Sequence, residues 1–197
     1  MARDPRYDVL FTPIKIGPKT AKNRFYQVPH CNAMGYTEHH GDVEHRRMKA
    51  EGGWGVISTA QCSIHPSSCC APFAERRLWN DEHSTQLREW VDVMHEYGAL
   101  AAVELVHNGI GMGNRKTKEY PMGPSNNMVH YNWDPIMGRK MDKADIREYR
   151  RWQVEASKRA VDVGFDLVYV YAAHDIALAQ SFLSPHSNHR TDEYGGS

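Results

Sequence analysis

Two hydrophobic periods alternate along the chain. Residues 84–97 place Leu87, Trp90, Val91, Met94 and Tyr97 at i, i+3, i+4, i+7 and i+10, one face of an amphipathic helix that Gly98 ends. Residues 100–107 then run Leu-Ala-Ala-Val-Glu-Leu-Val-His, a nearly continuous apolar stretch expected of a strand buried on both faces. The same contrast recurs downstream. Residues 143–163 predict a helix with Asp142 as N-cap and Gly164 as its stop. Its inner face is Ile146, Tyr149, Gln153, Ala156, Ala160 and Val163, with Gln153 the polar exception, and residues 165–171 predict the next strand. Upstream, residues 24–28 and 55–62 read as strands around a polar, helix-compatible 43–51 that stops at Gly52-Gly53. Residues 8–16 predict a hairpin-like opening broken by Pro13 and Gly17-Pro18, and residues 177–183 a short helical piece. Residues 108–140 carry five glycines, three prolines and no period, which predicts a loop longer than an ordinary connection and therefore a candidate for function.

The resulting order is β-α-β-α-β-(long loop)-α-β, an α/β chain with a parallel sheet. Four βα units make half of a (β/α)8 barrel, which needs about 250 residues. A doubly wound sheet is the alternative closure, but no Gly-x-Gly-x-x-Gly follows the first strand. The 197 residues are 41% apolar and 24% charged, ordinary for a globular chain, and 24 Lys+Arg balance 24 Asp+Glu. That balance excludes a broad basic field for nucleic acid. No apolar run reaches the roughly 18–20 residues of a membrane span, and the polar start Met-Ala-Arg-Asp-Pro-Arg is unlike a secretory leader. A soluble cytoplasmic protein is expected.

In a barrel, chemistry gathers at the C-terminal ends of the strands. Those ends hold Pro29, His30 and Cys31 after the first strand, Gln61 and Cys62 at the second, Glu104 and His107 at the third, and Tyr171 with Ala172, Ala173 and His174 at the fourth. A carboxylate inside an apolar strand is costly unless paired, so Glu104 is either functional or solvated beside a Lys or Arg. Tyr171 and His174 form a Tyr-x-x-His at a strand terminus, a hydroxyl beside a base that titrates near neutrality; the plain alternative is packing and a surface His. Cys31, Cys62, Cys69 and Cys70 are too few for a disulfide scaffold and lack zinc spacing, which reads as free thiols. His30 beside Cys31 could lower its thiol. His39-His40, His65, His186 and His189 show no ligand spacing and read as solvated loop histidines, so no metal is expected. Arg147, Arg150, Arg151, Lys158 and Arg159, interleaved with acidic residues, read as a solvated helix face.

Several long, co-linear segments resemble a known family. They are MARDPRYDVLFTPIKIGPKT, NRFYQVPHC, KAEGGWG, CSIHP, YGALAAVEL, GPS, GFDLVYVYAAH and HRTDEYGGS, spread from Met1 to Ser197. The chain is similar to the N-terminal half of the flavin domain of the trimethylamine, dimethylamine and histamine dehydrogenases. These sit within the wider old yellow enzyme family of NADH:flavin oxidoreductases. Demethylases of dimethylglycine and N-methylproline look similar too. The resemblance implies a partial (β/α)8 TIM barrel, its first four βα units, with residues 1–197 the N-terminal part of a single FMN-binding domain. It implies FMN at the barrel mouth and places Cys31 where the amine dehydrogenases attach it as a 6-S-cysteinyl flavin, with Pro29 and His30 beside it. Glu104 falls where the wider family has a Gln on the flavin pyrimidine, and Tyr171 and His174 fall on the pair lining the substrate pocket. The implied activity is oxidation of the C–N bond of a secondary or tertiary amine or an N-methylated amino acid. Hydride passes to flavin N5, and water hydrolyses the resulting iminium.

Three departures qualify the likeness. Gln61 stands where trimethylamine dehydrogenase has a Tyr of its aromatic bowl, which points to a substrate with an N–H or carboxylate. Ile176 stands where many old yellow enzymes carry a Tyr proton donor, against the alternative of an NAD(P)H-dependent ene-reductase. Residues 32–47 and 108–141 follow the dehydrogenases poorly and leave the substrate loops unassigned. The resemblance further implies a 4Fe-4S cluster and ADP- or FAD-binding domains beyond these residues, an electron-transfer flavoprotein as acceptor and a homodimer at full length. On that view the 197 residues are part of a longer flavoprotein and inactive alone.

Overall fold

The computed structural model describes residues 4–70, 74–130 and 135–196. The chain opens not with a hairpin at 8–16 but with a 3-10 turn, Pro5–Phe11, capped by the Asp4 side chain. Pro5 at its first position and the local Asp4–Arg6 bonds favour the tight turn over an extended strand. The hairpin lies just after it: β1 (Ile14–Ile16) and β2 (Lys19–Ala21) pair antiparallel around Gly17. Next come β3 (Tyr26–Gln27), α1 (His39–Glu51), β4 (Val56–Ser63), β5 (Arg76–Arg77), α2 (Asp81–Glu96) and β6 (Leu100–Val106). The 108–140 segment is not bare loop. It folds as a three-stranded sheet in the order β7 (Met122–Gly123), β9 (Met137–Lys140), β8 (Asn127–Met128). α3 (Lys143–Val163), β10 (Leu167–Val170) and α4 (Leu178–Leu183) complete the chain. α1 begins earlier than the 43–51 pattern suggested, because His39 and His40 open it as helical residues.

The main sheet runs β10-β6-β4-β3, with β5 also on β4, and its pairings are parallel. Each new strand adds beside the previous one. That sequential order is a barrel wall, whereas a doubly wound sheet reverses direction at a switch point. β6 shows how the sequence decides which side is which. Ala101, Val103 and Leu105 join the helix-side core with Leu87, Trp90, Val91 and Met94 of α2 and Ala156, Ala160 and Val163 of α3. Ala102, Glu104 and Val106 alternate to the other face. α3 is closed at its start by a reciprocal Asp142–Asp145 capping box and at its end by Gly164 at φ 109°. β10 differs from the buried strand the sequence predicted: Val168, Tyr169 and Val170 are exposed, because β10 is the edge of an open wall.

Candidate functional site

One cavity of about 420 Å³ lies at the C-terminal ends of the strands. Of the strand-end candidates, Pro29, His30, Cys31, Gln61, Glu104, Tyr171 and His174 line it. Cys70, Met112 and Ile176 complete it. Pro29–Cys31 arrive on the turn after β3, Gln61 and Glu104 from β4 and β6, and Tyr171 to Ile176 from the turn after β10.

Gln61 reaches the cavity through an irregularity. Between Ser58 and Gln61 the β4–β6 register shifts, so that Ser58 opposes Ala102 and Gln61 opposes Glu104. The extra residue in β4 turns Gln61 to the same face as Glu104. The Gln61 side-chain amide donates to the Cys70 sulfur at 2.8 Å. Cys62, its neighbour, faces the helix-side core instead.

Glu104 is 6% exposed, and no hydrogen bond or ion pair reaches its carboxyl among the described residues. Burial alone pushes its pKa up to about 7. No Lys or Arg pairs with it among the described residues, and its carboxyl opens only onto the cavity. Tyr171 Oη and His174 Nδ1 share a hydrogen bond, and their rings lie nearly parallel. His174 and Asp175 both adopt left-handed backbone, φ 60° and 55°. Such residues persist when their surroundings over-determine them. Here Gln180 bonds Asp175 at backbone N–H and side chain, 2.8 and 3.0 Å, and His130 holds its carbonyl at 3.1 Å.

Cys31 is exposed, whereas Cys62, Cys69 and Cys70 are buried. Desolvation first, then the Glu75 and Glu104 carboxyls, push the Cys31 thiol up; Arg46 and a Gln61 backbone bond oppose them. Among the strand-end candidates, His107 turns away from the cavity. Gly109 N–H donates to its Nδ1 at 3.0 Å, so its Nε2 carries the proton and faces Ser67 Oγ at 2.9 Å. Burial and then His65 push its pKa down to about 3.

Two groups of histidines depart from the solvated-loop reading. His65 stacks on Trp152 at 3.7 Å. His39 and His40 open α1 and face Glu89, at 2.8 and 3.7 Å. These three side chains are close enough to share an ion. However, Arg76 donates to His39 Nδ1 at 2.7 Å, which leaves the proton of the neutral ring on Nε2, aimed at Glu89. The lone pair a metal needs is then committed elsewhere. His186 and His189 are exposed, as expected. Arg147, Arg150, Arg151 and Lys158 are exposed too, with Arg151 bridging Glu148 and Glu155.

The donor set suits a flavin. A planar ring system with a polar edge and apolar faces matches a cavity whose buried carboxyl lacks a partner, with a side-chain amide opposite and Pro29, Met112 and Ile176 around. Cys70 and Met112 were missed because they sit on irregular segments with no pattern of their own.

Comparison with known proteins agrees. The dimethylamine dehydrogenase of Hyphomicrobium sp. (strain x) is 45% identical over 202 residues, covering 100% of this chain and 27% of its own length. The solved histamine dehydrogenase from Rhizobium sp. 4-9 has 49% identity and a TM-score of 0.95, over 99% of this chain and 30% of that one. An old yellow enzyme homologue from Zymomonas mobilis superposes with a TM-score of 0.83 at 26% identity, over 95% of this chain and 55% of that one. The chain thus spans about 30% of the length of the amine dehydrogenases it matches. The NADH:flavin oxidoreductase / NADH oxidase family matches residues 9–197, and the chain belongs to it.

Proposed function

We propose that this chain carries the substrate-facing wall of an FMN-dependent amine dehydrogenase or demethylase. The observation that carries the reading is the convergence of Cys31, Gln61, Glu104, Tyr171 and His174 on one cavity at the strand ends. A bound flavin would supply the hydride acceptor for the carbon next to nitrogen. The rest falls to side chains. Only an amine with a free lone pair assists hydride loss, and the hydrogen-bonded Tyr171–His174 pair is placed to take the ammonium proton and hold the amine neutral. Gln61 offers an amide to a substrate N–H or carboxylate. Glu104 would hold the polar edge of the cofactor from the cavity wall. Ile176, on the cavity wall, has no proton to give to a substrate carbon, which disfavours alkene reduction. Cys31, the exposed thiol at the cavity, is the candidate for covalent attachment.

The test is acid precipitation of the flavin-loaded protein. Yellow colour and flavin absorbance should stay with the polypeptide, and Cys31→Ala should release them into the supernatant. Free flavin from the unaltered protein, or retention by Cys31→Ala, would remove Cys31 from this role.

A further inference from the structure

Beneath the Pro29–Cys31 turn lies a group of buried charges that the proposed chemistry does not use. Arg46 of α1 is 0% exposed, yet only one of its three guanidinium nitrogens makes a hydrogen bond: Nη2 donates to the His30 carbonyl at 2.5 Å. Nε lies 3.8 Å from Asp42 Oδ1, beyond hydrogen-bond distance, and Nη1 has no partner. Asp42 is already occupied. Arg76 grips its Oδ2 through Nε and Nη2, at 2.9 and 2.6 Å, and Asn32 donates to its Oδ1 at 2.7 Å. A buried guanidinium with two nitrogens unbonded and its carboxylate held mainly by Arg76 and Asn32 is costly. Its placement under the turn that bears Cys31 gives that charge a use.

We infer that Arg46 is the positioning residue of Cys31, pinning the turn through the His30 carbonyl and supplying a positive charge, shared only at a distance with Asp42, that favours the thiolate. The inference rests on the reading of Cys31 as the flavin-attaching thiol. The other groups facing Cys31 do not supply that charge. Glu75, ahead of β5, is buried and paired with Arg77, and burial raises its pKa. Glu104 on β6 is raised to about 7 by burial, and both carboxyls act on Cys31 in the opposite sense, raising its thiol. Gln61, Cys70 and Met112 are uncharged there, and His174 is committed to Tyr171. Arg46 acts on Cys31 in the favourable sense, and Cys31 acts on Arg46 reciprocally.

The experiment measures iodoacetamide alkylation of Cys31 against pH in flavin-free protein, resolved by peptide mass spectrometry, with circular dichroism as the fold control. Arg46→Met should move the profile to higher pH and slow alkylation about tenfold below its midpoint, the change of about one pKa unit. Arg46→Lys should restore much of the rate. Asp42→Asn, which strips the charge from Arg46's neighbour, should move the profile the opposite way and carries the test if Arg46→Met does not fold. Unmoved profiles in the folded variants would overturn the inference. Acid-stable flavin, formed when FMN is added to the same preparations, separates the two readings. A shifted profile without acid-stable flavin removes covalent attachment and leaves the role of Arg46. Acid-stable flavin with unmoved profiles does the reverse.

Discussion

Glu104 is held in the cavity wall by strand geometry, not by a partner, and that gives it a distinctive pH signature. Its pKa rises from the ordinary 4.5 to about 7 through burial. Between those values the folded chain binds more protons than the unfolded chain, so stability falls as pH rises through this window. Stability is fully present below about pH 4.5 and diminished above about 7, by up to about 3 kcal/mol. Glu104→Gln keeps the shape and removes the ionisation. In flavin-free protein, urea unfolding should show the variant gaining on the parent as pH is raised from 5 to 8. A parallel pair of stability curves would mean that Glu104 is solvated and its pKa ordinary. At this scale much of the site was legible, for a physical reason: a carboxyl in an apolar run and a Tyr-x-x-His at a strand end violate the local pattern, and such violations gather where chemistry is done. Arg46 was not legible. On a polar helix it looks like any solvated cation, and only the packing of the Pro29–Cys31 turn over it reveals its burial.

Between elements, the cavity depends on one very close approach. A Cβ added at Gly111 would meet the Ile176 backbone at 2.4 Å, so only glycine lets the turn after β6 lie against the turn after β10. Met112 and Ile176, on the two sides of this contact, both line the cavity. Gly111→Ala should therefore separate the two turns, lower stability by about 1–3 kcal/mol as overpacking does, and weaken FMN binding at least tenfold by fluorescence titration. Gly196→Ala, facing open space, is the matched control and should change neither. Affinity equal to the parent's in Gly111→Ala would show that this contact does not shape the cavity. The long, periodic elements α2, β6 and α3 were legible because a single face of each packs on one core. The β7–β9–β8 sheet was not, because two-residue pairings between distant segments leave no period to read. The β4 irregularity was equally silent, although it decides that Gln61 faces the cavity.

At the scale of the molecule, the dominant feature is an open wall. The main sheet ends at β10, which pairs only with β6 among the described residues, and the chain spans about 30% of the amine dehydrogenases it matches. The β10 edge accordingly offers unpaired backbone groups flanked by Val168, Tyr169 and Val170, exposed by 39, 47 and 60%. Such an edge templates pairing with another chain unless charge or covering blunts it. No helix among the described residues is long and apolar enough to cross a membrane. Val168 and Val170 pair with Val103 and Leu105 of β6 and share their helix-side face, whereas Tyr169 pairs with Glu104 and shares the cavity side. The 197 residues expressed by themselves should therefore self-associate with rising concentration, read by sedimentation velocity. Lysines at Val168 and Val170 should suppress that association without lowering the melting temperature, since both side chains are already largely in solvent. A chain that stays monomeric throughout, or a doubly substituted one that associates as strongly, would show that the β10 edge is not the adhesive surface.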